Sequence, residues 1–571
     1  MRPFSRTSAG RGRWCRPNHS AQPRLTTNAR GQWQDLRVSG FTRLLPAVSL
    51  LAVGGLLAAC TSGDPEDERQ PERPVTERNG PVGPVPEGLG EFYGQPLSWG
   101  DCARYATSDT AKAAFNTRDI ECARLTVPLR YDKPDGETIT LGVLRRKASD
   151  AKQRVGSLVI NPGGPGAAGM PAAAQSASAA RGTQLGERFD IVGFDPRGIG
   201  ASEPQVQCLT DQERDAERAE DDETDTSPKG IAKQESDERE FARKCAQRTE
   251  HGKTMLANMG TRDVARDMDV LRSALGDAKL NYLGYSYGTR IGSTYAELFP
   301  RNVRALVLDG ALDPAQDQVE ALVAQGAGFQ KAFDEFAKWC ARKQDCALGN
   351  NPGAATQRFQ QLVQPLINRP VEVGAGRKLS FDDATTGVAQ ALYAKDLWEM
   401  LNSALVELQR NRGAGLMQLA DIYNERGQDG SYSTTQDAFT AVRCVDEPKV
   451  TDKKEILQIE RRYKQVAPFM DHGRPAGAAL DACAFWPVPN TSRPHAPNVA
   501  GLPPTLVIST TNDPATPYQA GVKLANALGG GLLTYQGTQH TVFLQGKKCV
   551  DQIGTKYLVD LQLPPRGARC S

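Results

Sequence analysis

The sequence is poor in metal-binding and membrane-spanning signals. It holds 5 histidines in 571 residues and no Cys-x-x-Cys pair or His/Cys cluster. A structural zinc site needs about four such ligands at short, paired spacings, so no metal is expected. Nothing in the chain calls for a cofactor. The most conspicuous apolar stretch, residues 44–59, is shorter than the roughly 20 residues of a helix that crosses a bilayer. Clustered cations are also missing from most of the chain. Residues 1–59 carry nine arginines against one aspartate, a charge of +8, so the formal +2 of the whole conceals a body near −6. A mildly acidic body gives no footprint for nucleic acid, which needs lysine and arginine gathered on one face. Internal repeats are not apparent. What remains is ordinary globular composition in a chain long enough for a decorated or multidomain core.

The N-terminus reads as an export signal. A basic stretch ends at Arg43, an apolar segment follows, and Leu57-Ala58-Ala59-Cys60 resembles a bacterial lipobox. Cys60 is the expected lipidation site, with residues 1–59 removed and the protein held at the outer face of the cell membrane. Two acyl chains anchor stably where one is marginal. Residues 60–91 are rich in Pro, Glu, Arg and Gly, with Pro71, Pro74, Pro81, Pro84 and Pro86. They read as a stiff tether, with folding expected from near Phe92. Cys15 lies in the leader, and ten cysteines remain beyond Cys60, the even number expected of an oxidising compartment. Sequence proximity suggests Cys102–Cys122, Cys208–Cys245, Cys340–Cys346, Cys444–Cys483 and Cys549–Cys570, although spacing alone leaves connectivity open.

From residue 123 short apolar runs alternate with helical patterns, which implies a mostly parallel sheet covered on both faces. Runs at 123–129 and 138–145 read as an antiparallel opening hairpin. Those at 157–161, 189–194, 280–283, 303–308, 505–509 and 532–535 read as buried strands. Residues 313–488 differ: Phe329, Phe333, Phe336 and Trp339 recur at helical spacing, and no parallel strands are evident. The expected architecture is an α/β fold with a mostly parallel central sheet. A helical cap (313–488) separates the core segments 92–312 and 489–571. The charge-dense stretch 211–250 reads as a solvated helical insertion.

Gly284-Tyr285-Ser286-Tyr287-Gly288 follows one predicted strand and opens a helix. This G-x-S-x-G context presents a nucleophilic serine on a tight turn. A hydroxyl near its free pKa needs an imidazole base, itself oriented by a carboxylate. His540 follows the last predicted strand and Asp513 the one before it, in the order Ser, Asp, His. His19 lies in the leader and His251 in the charged stretch. His472 and His495 sit in Pro/Gly-rich surroundings. An oxyanion needs two N–H donors, expected from Tyr287 and from Gly164 in the glycine-rich loop after residue 161.

Asn161-Pro162-Gly163-Gly164-Pro165-Gly166 resembles the His-Gly-Gly-Pro-Gly loop of proline iminopeptidases. Asp195-Pro196-Arg197-Gly198-Ile199-Gly200-Ala201-Ser202 resembles their Asp-x-Arg-Gly-x-Gly-x-Ser segment. With Gly-Tyr-Ser-Tyr-Gly-Thr and Asn-Asp-Pro-Ala-Thr-Pro, the region Trp99 to Cys570 is similar to the secreted tripeptidyl aminopeptidases of actinobacteria. The resemblance implies an α/β-hydrolase fold and acyl-enzyme cleavage of peptides from a free N-terminus. Asn161 replaces the iminopeptidase histidine, so strict proline specificity does not carry over. An aminopeptidase must bind a substrate ammonium, and Asp446 and Glu447, beside Cys444, are the candidate anchor. Asp195 and Arg197 are expected to stabilise the nearby loop. The leading expectation is a cell-surface serine exopeptidase that releases short peptides, possibly tripeptides. The alternatives are a carboxylesterase or lipid hydrolase using the same triad, and a binding lipoprotein on a retired scaffold. The complete set of Ser, Asp, His and glycine loop argues against the last.

Overall fold

A computed structural model describes residues 74–571. The leader, its apolar segment and Cys60 lie outside the described residues. The centre is a sheet of nine strands, built from β3 (Glu121–Pro128), β4 (Thr138–Arg146), β5 (Gly156–Asn161), β6 (Phe189–Phe194), β7 (Leu280–Tyr285), β8 (Val303–Asp309), β11 (Leu506–Thr510), β12 (Gly531–Tyr535) and β13 (Arg569–Cys570). Their order is β13-β12-β11-β8-β7-β5-β6-β4-β3. β3 and β4 form the antiparallel hairpin and β4 runs antiparallel to β6; every other neighbouring pair is parallel. Every residue of β5 and β6 is buried. Helices cover both faces, so these strands read as continuous apolar runs rather than alternations.

The register decides where chemistry can occur. Asn161 pairs with Gly284, Tyr285 with Asp309, Asp309 with Ile508 and Thr510 with Tyr535. The loops leaving β5, β7, β8, β11 and β12 therefore emerge side by side at one edge, the usual ligand edge of a parallel sheet.

Packed structure begins well before Phe92, contrary to the sequence expectation. β1 (Val75–Glu77) pairs antiparallel with β2 (Leu97–Trp99). Val82 donates its N–H to Ser273 Oγ at 2.9 Å, and Arg272 Nη1 donates to the Val82 carbonyl at 3.0 Å. The Pro-rich backbone has no ladder partner at Val82, and these two side chains satisfy it there.

The segment between β8 and β11 is mainly helical, with one small hairpin of β9 (Val371–Gly374) and β10 (Arg377–Leu379). It has an apolar core of its own around Phe333, Phe336, Phe359, Leu401 and Phe469. The rings of Phe333 and Phe469 stack at 4.7 Å. The stretch 211–250 forms helices Asp211–Arg218 and Pro228–Arg248. It is not wholly solvated: Arg218 is buried and donates through Nε to Asp383 of the cap at 2.9 Å, and through Nη1 to Tyr432 at 2.8 Å. Among the described residues five disulfides form, and each joins cysteines that sequence proximity suggests. Among the described residues no helix is long and apolar enough to cross a membrane.

Candidate active site

Ser286 caps the step from β7 into helix Gly288–Leu298 at φ +53°, a left-handed conformation that a non-glycine residue adopts only where its surroundings enforce it. Its N–H donates to the Asp309 carbonyl at 2.9 Å. Its own carbonyl accepts the N–H of Thr289 at 2.8 Å and the Thr289 hydroxyl at 2.7 Å. Both ends of the turn are therefore tied down, one to β8 and one to the helix it opens.

Asp513 and His540 are brought together from the loops after β11 and β12. His540 Nδ1 lies 2.9 Å from Asp513 Oδ1 and 3.0 Å from Oδ2. Asp513 Oδ1 also accepts the N–H groups of Ala515 and Thr516, each at 2.9 Å, which holds the carboxylate in place. Burial works to depress the imidazolium. The charge and hydrogen bond of Asp513, with Asp309 behind it, outweigh burial and leave the His540 pKa above the ordinary histidine value. Thr516 Oγ1 stands 3.4 Å from the same ring nitrogen. The cap grips both loops. His540 donates its N–H to the Tyr393 carbonyl at 2.9 Å, the two rings meet edge to face at 5.3 Å, and Gln325 Nε2 donates to the Ala515 carbonyl at 3.1 Å.

The glycine loop lies against the serine turn. Gly163 has φ +100°, and a Cβ there would fall 2.6 Å from the Tyr285 carbonyl oxygen and 2.9 Å from Ser286 Cβ, so only glycine fits. Asn161, almost fully buried, accepts the Gly163 N–H through its own Oδ1 at 3.0 Å. Among the described residues the N–H groups of Gly164 and Tyr287 meet no protein acceptor. The Asn161 contact was not legible in sequence, where the residue registered only as a departure from a family motif.

Asp446 and Glu447 lie against the first turn of the serine helix, and the two differ. Asp446 is buried and accepts the Thr261 N–H at 2.9 Å through Oδ1 and the Thr261 hydroxyl through Oδ2. Thr261 Oγ1 in turn meets the Tyr287 hydroxyl at 2.6 Å. Asp446 thus braces the residue after Ser286. Glu447 Oε1 accepts from Arg290 Nη1 at 3.2 Å, while its Oε2 is buried with no partner among the described residues. Burial raises both carboxyls above their usual range, against the pull of Arg290.

The two motif residues Asp195 and Arg197 are loop braces by geometry. Asp195 accepts the N–H groups of Met170 and Ala201 at 2.8 and 2.7 Å, and burial still raises its pKa to about 6. Arg197, fully buried, forms a two-pronged pair with Asp267 at 2.8 and 2.6 Å. No group of three or more metal-ligating side chains occurs among the described residues.

A serine on a strand-to-helix turn beside a hydrogen-bonded Asp–His pair defines a serine hydrolase. The family model described as alpha/beta hydrolase fold matches residues 156–547, and the chain belongs to that family. It is 47% identical over 485 residues to a protein of Mycobacterium tuberculosis named serine protease Hip1, covering 84% of this chain and 91% of the relative. A second M. tuberculosis protein, named carboxylesterase B, is 46% identical over 491 residues, covering 85% and 92%. The tripeptidyl aminopeptidase of Streptomyces lividans is 30% identical over 498 residues, covering 83% and 86%.

Proposed function

We propose that this serine hydrolase is an exported exopeptidase that releases short peptides from free N-termini through an acyl-enzyme. The observation that carries the chemistry is the Asp513–His540 pair at 2.9 Å, on loops beside the Ser286 turn. In this reading Ser286 Oγ attacks the scissile carbonyl while its proton passes to His540 Nε2. The N–H groups of Gly164 and Tyr287 receive the oxyanion. His540 then gives the proton to the leaving amine, and water, activated the same way, hydrolyses the acyl-serine. Asp513 holds the ring with Nδ1–H toward itself and steadies the imidazolium.

Peptide rather than ester as substrate is supported by the relatives named as a serine protease and a tripeptidyl aminopeptidase. Of the proposed ammonium anchor, Glu447 is the better candidate, because Asp446 has both oxygens engaged by Thr261. The cap, gripping both catalytic loops, would exclude folded proteins. Localisation by a lipid on Cys60 belongs to the same proposal and rests on the lipobox-like sequence. A second reading, ester hydrolysis, is favoured by the relative named carboxylesterase B.

Matched chromogenic substrates separate these readings: a free-amino tripeptide, its N-acetylated twin and a short acyl ester, each with wild type and Ser286→Ala. The exopeptidase reading expects Ser286-dependent turnover that is lost on acetylation. Turnover of the ester alone would replace it with the esterase.

A further inference from the structure

One buried carboxylate beside the site has no part in the chemistry above. Asp309 ends β8, between the strands that deliver Ser286 and Asp513, and is fully buried. Its carbonyl accepts the Ser286 N–H at 2.9 Å. Its Oδ2 accepts the N–H of Val542 at 2.7 Å and of Phe543 at 2.8 Å, the second and third residues after His540. Its Oδ1 is buried with no partner among the described residues. The next residue, Gly310, donates its N–H to the Ile508 carbonyl of β11 at 3.1 Å. Gly310 has φ +65°, and a Cβ there would lie 3.1 Å from His540 Cε1. Two consecutive residues thus touch the serine turn, the strand ahead of Asp513 and the histidine with its loop.

A carboxylate buried with one oxygen unpaired is costly to a fold that needs only to end a strand. Burial, partly offset by the Phe543 and Val542 N–H groups, raises the Asp309 pKa to about 6. The titratable groups that face it are His540 and Asp513, from the loops after β12 and β11, and Tyr285 of β7. The imidazolium of His540 favours the Asp309 anion and the charge of Asp513 opposes it.

We propose that Asp309 is a positioning residue for the base, clamping the His540 loop to the strand end that holds Ser286 and favouring the imidazolium formed during acyl transfer. This rests on the triad reading given above. A displaced base of about 1 Å can cost on the order of 10²-fold in rate, and the clamp acts on the residues immediately beyond His540.

The test uses the full chain as wild type, Asp309→Asn, Asp309→Ala and Ser286→Ala. Each reacts with a fluorophosphonate across pH, and adduct formation is followed by intact mass. Asparagine keeps an oxygen for the Val542 and Phe543 N–H groups, and removes the charge by putting a neutral NH2 in place of the unpartnered Oδ1. Asp309→Ala is expected to react roughly 10²-fold more slowly. Asp309→Asn is expected to approach the wild-type rate at alkaline pH with its acid limb moved to lower pH, because the imidazolium loses a neighbouring negative charge. A purely structural role would change thermal stability without moving that limb. If the alanine variant does not fold, the asparagine variant decides. An Asp309→Asn profile superimposable on wild type overturns the proposal alone. Adduct on Ser286→Ala overturns the triad reading and this proposal together.

Discussion

Two groups of carboxylates surround the Ser286 turn, one at and just beyond the strand ends of the core and one at the C-terminal end of the cap helix Thr435–Asp446. At the strand ends, Asp513 faces an imidazole, and Asp309 holds main-chain N–H groups of the same histidine's loop. On the cap side, Asp446 is absorbed by Thr261, and Glu447 is half engaged by Arg290. The core carboxylates are placed by β-strand register, which fixes where a residue emerges. The cap carboxylates follow a helix whose relation to the core depends on side-chain contacts. The difference teaches that proximity to a nucleophile does not make a carboxylate reactive. What its oxygens already bind decides what it can still do.

The comparison can be broken by substitution, starting where the effect should be greatest. Asp513→Asn should lower kcat by about 10⁴-fold with the fold retained, as expected when a base loses its orienting carboxylate; steady-state kinetics and a thermal melt check both halves. Asp446→Ala should instead strike stability, by about 1–3 kcal/mol, because it leaves the buried Thr261 N–H and hydroxyl without their acceptor; denaturant unfolding measures it. Glu447→Gln should raise KM for free-amino peptides about tenfold, the scale of one hydrogen bond to a charged group, and leave acetylated or ester substrates unaffected. An equal rise for all substrates would remove Glu447 from recognition.

The pH dependence sharpens the core side. In the proposed mechanism His540 accepts the serine proton only as neutral imidazole, so kcat/KM should fall as pH drops through the His540 pKa. That limb should lie above the ordinary histidine range, because Asp513 and then Asp309 outweigh burial. A limb below that range would show that burial dominates. The smallest effects on activity should come from the disulfides. Opening Cys444–Cys483, 39 residues apart, should cost about 4 kcal/mol, and Cys340–Cys346, 6 apart, about 2 kcal/mol. Neither should alter kcat, because neither bridge touches the triad loops.

Much of the core was legible because a buried parallel strand is a short apolar run that must end in a turn. The runs ending at Asn161, Tyr285 and Thr510 announce their loops, and Ser286, Asp513 and His540 follow from turn chemistry and chain order. The rest depended on partners distant in sequence. Asp309 ends a strand in Leu-Asp-Gly, which reads as an ordinary turn until the loop of Val542 and Phe543 folds onto it. Asn161 binds a residue only two positions away, yet its side-chain rotamer has no signature in composition. Arg218 lay in a stretch of mixed charge, and its burial depends on Asp383 of the cap. β1 was hidden among prolines, and its pairing is set by β2 more than by its own propensity. What the oxygens of Asp446 and Glu447 bind could not be read from spacing, because Thr261 and Arg290 lie far from them in sequence.

The most direct test is to trap the acyl-enzyme. A free-amino peptide ester, quenched in acid within the turnover time, should leave an adduct whose mass equals the N-terminal acyl portion, on the proteolytic fragment containing Ser286. The Ser286→Ala protein should carry none. An adduct on another residue, or turnover by Ser286→Ala, would contradict the account.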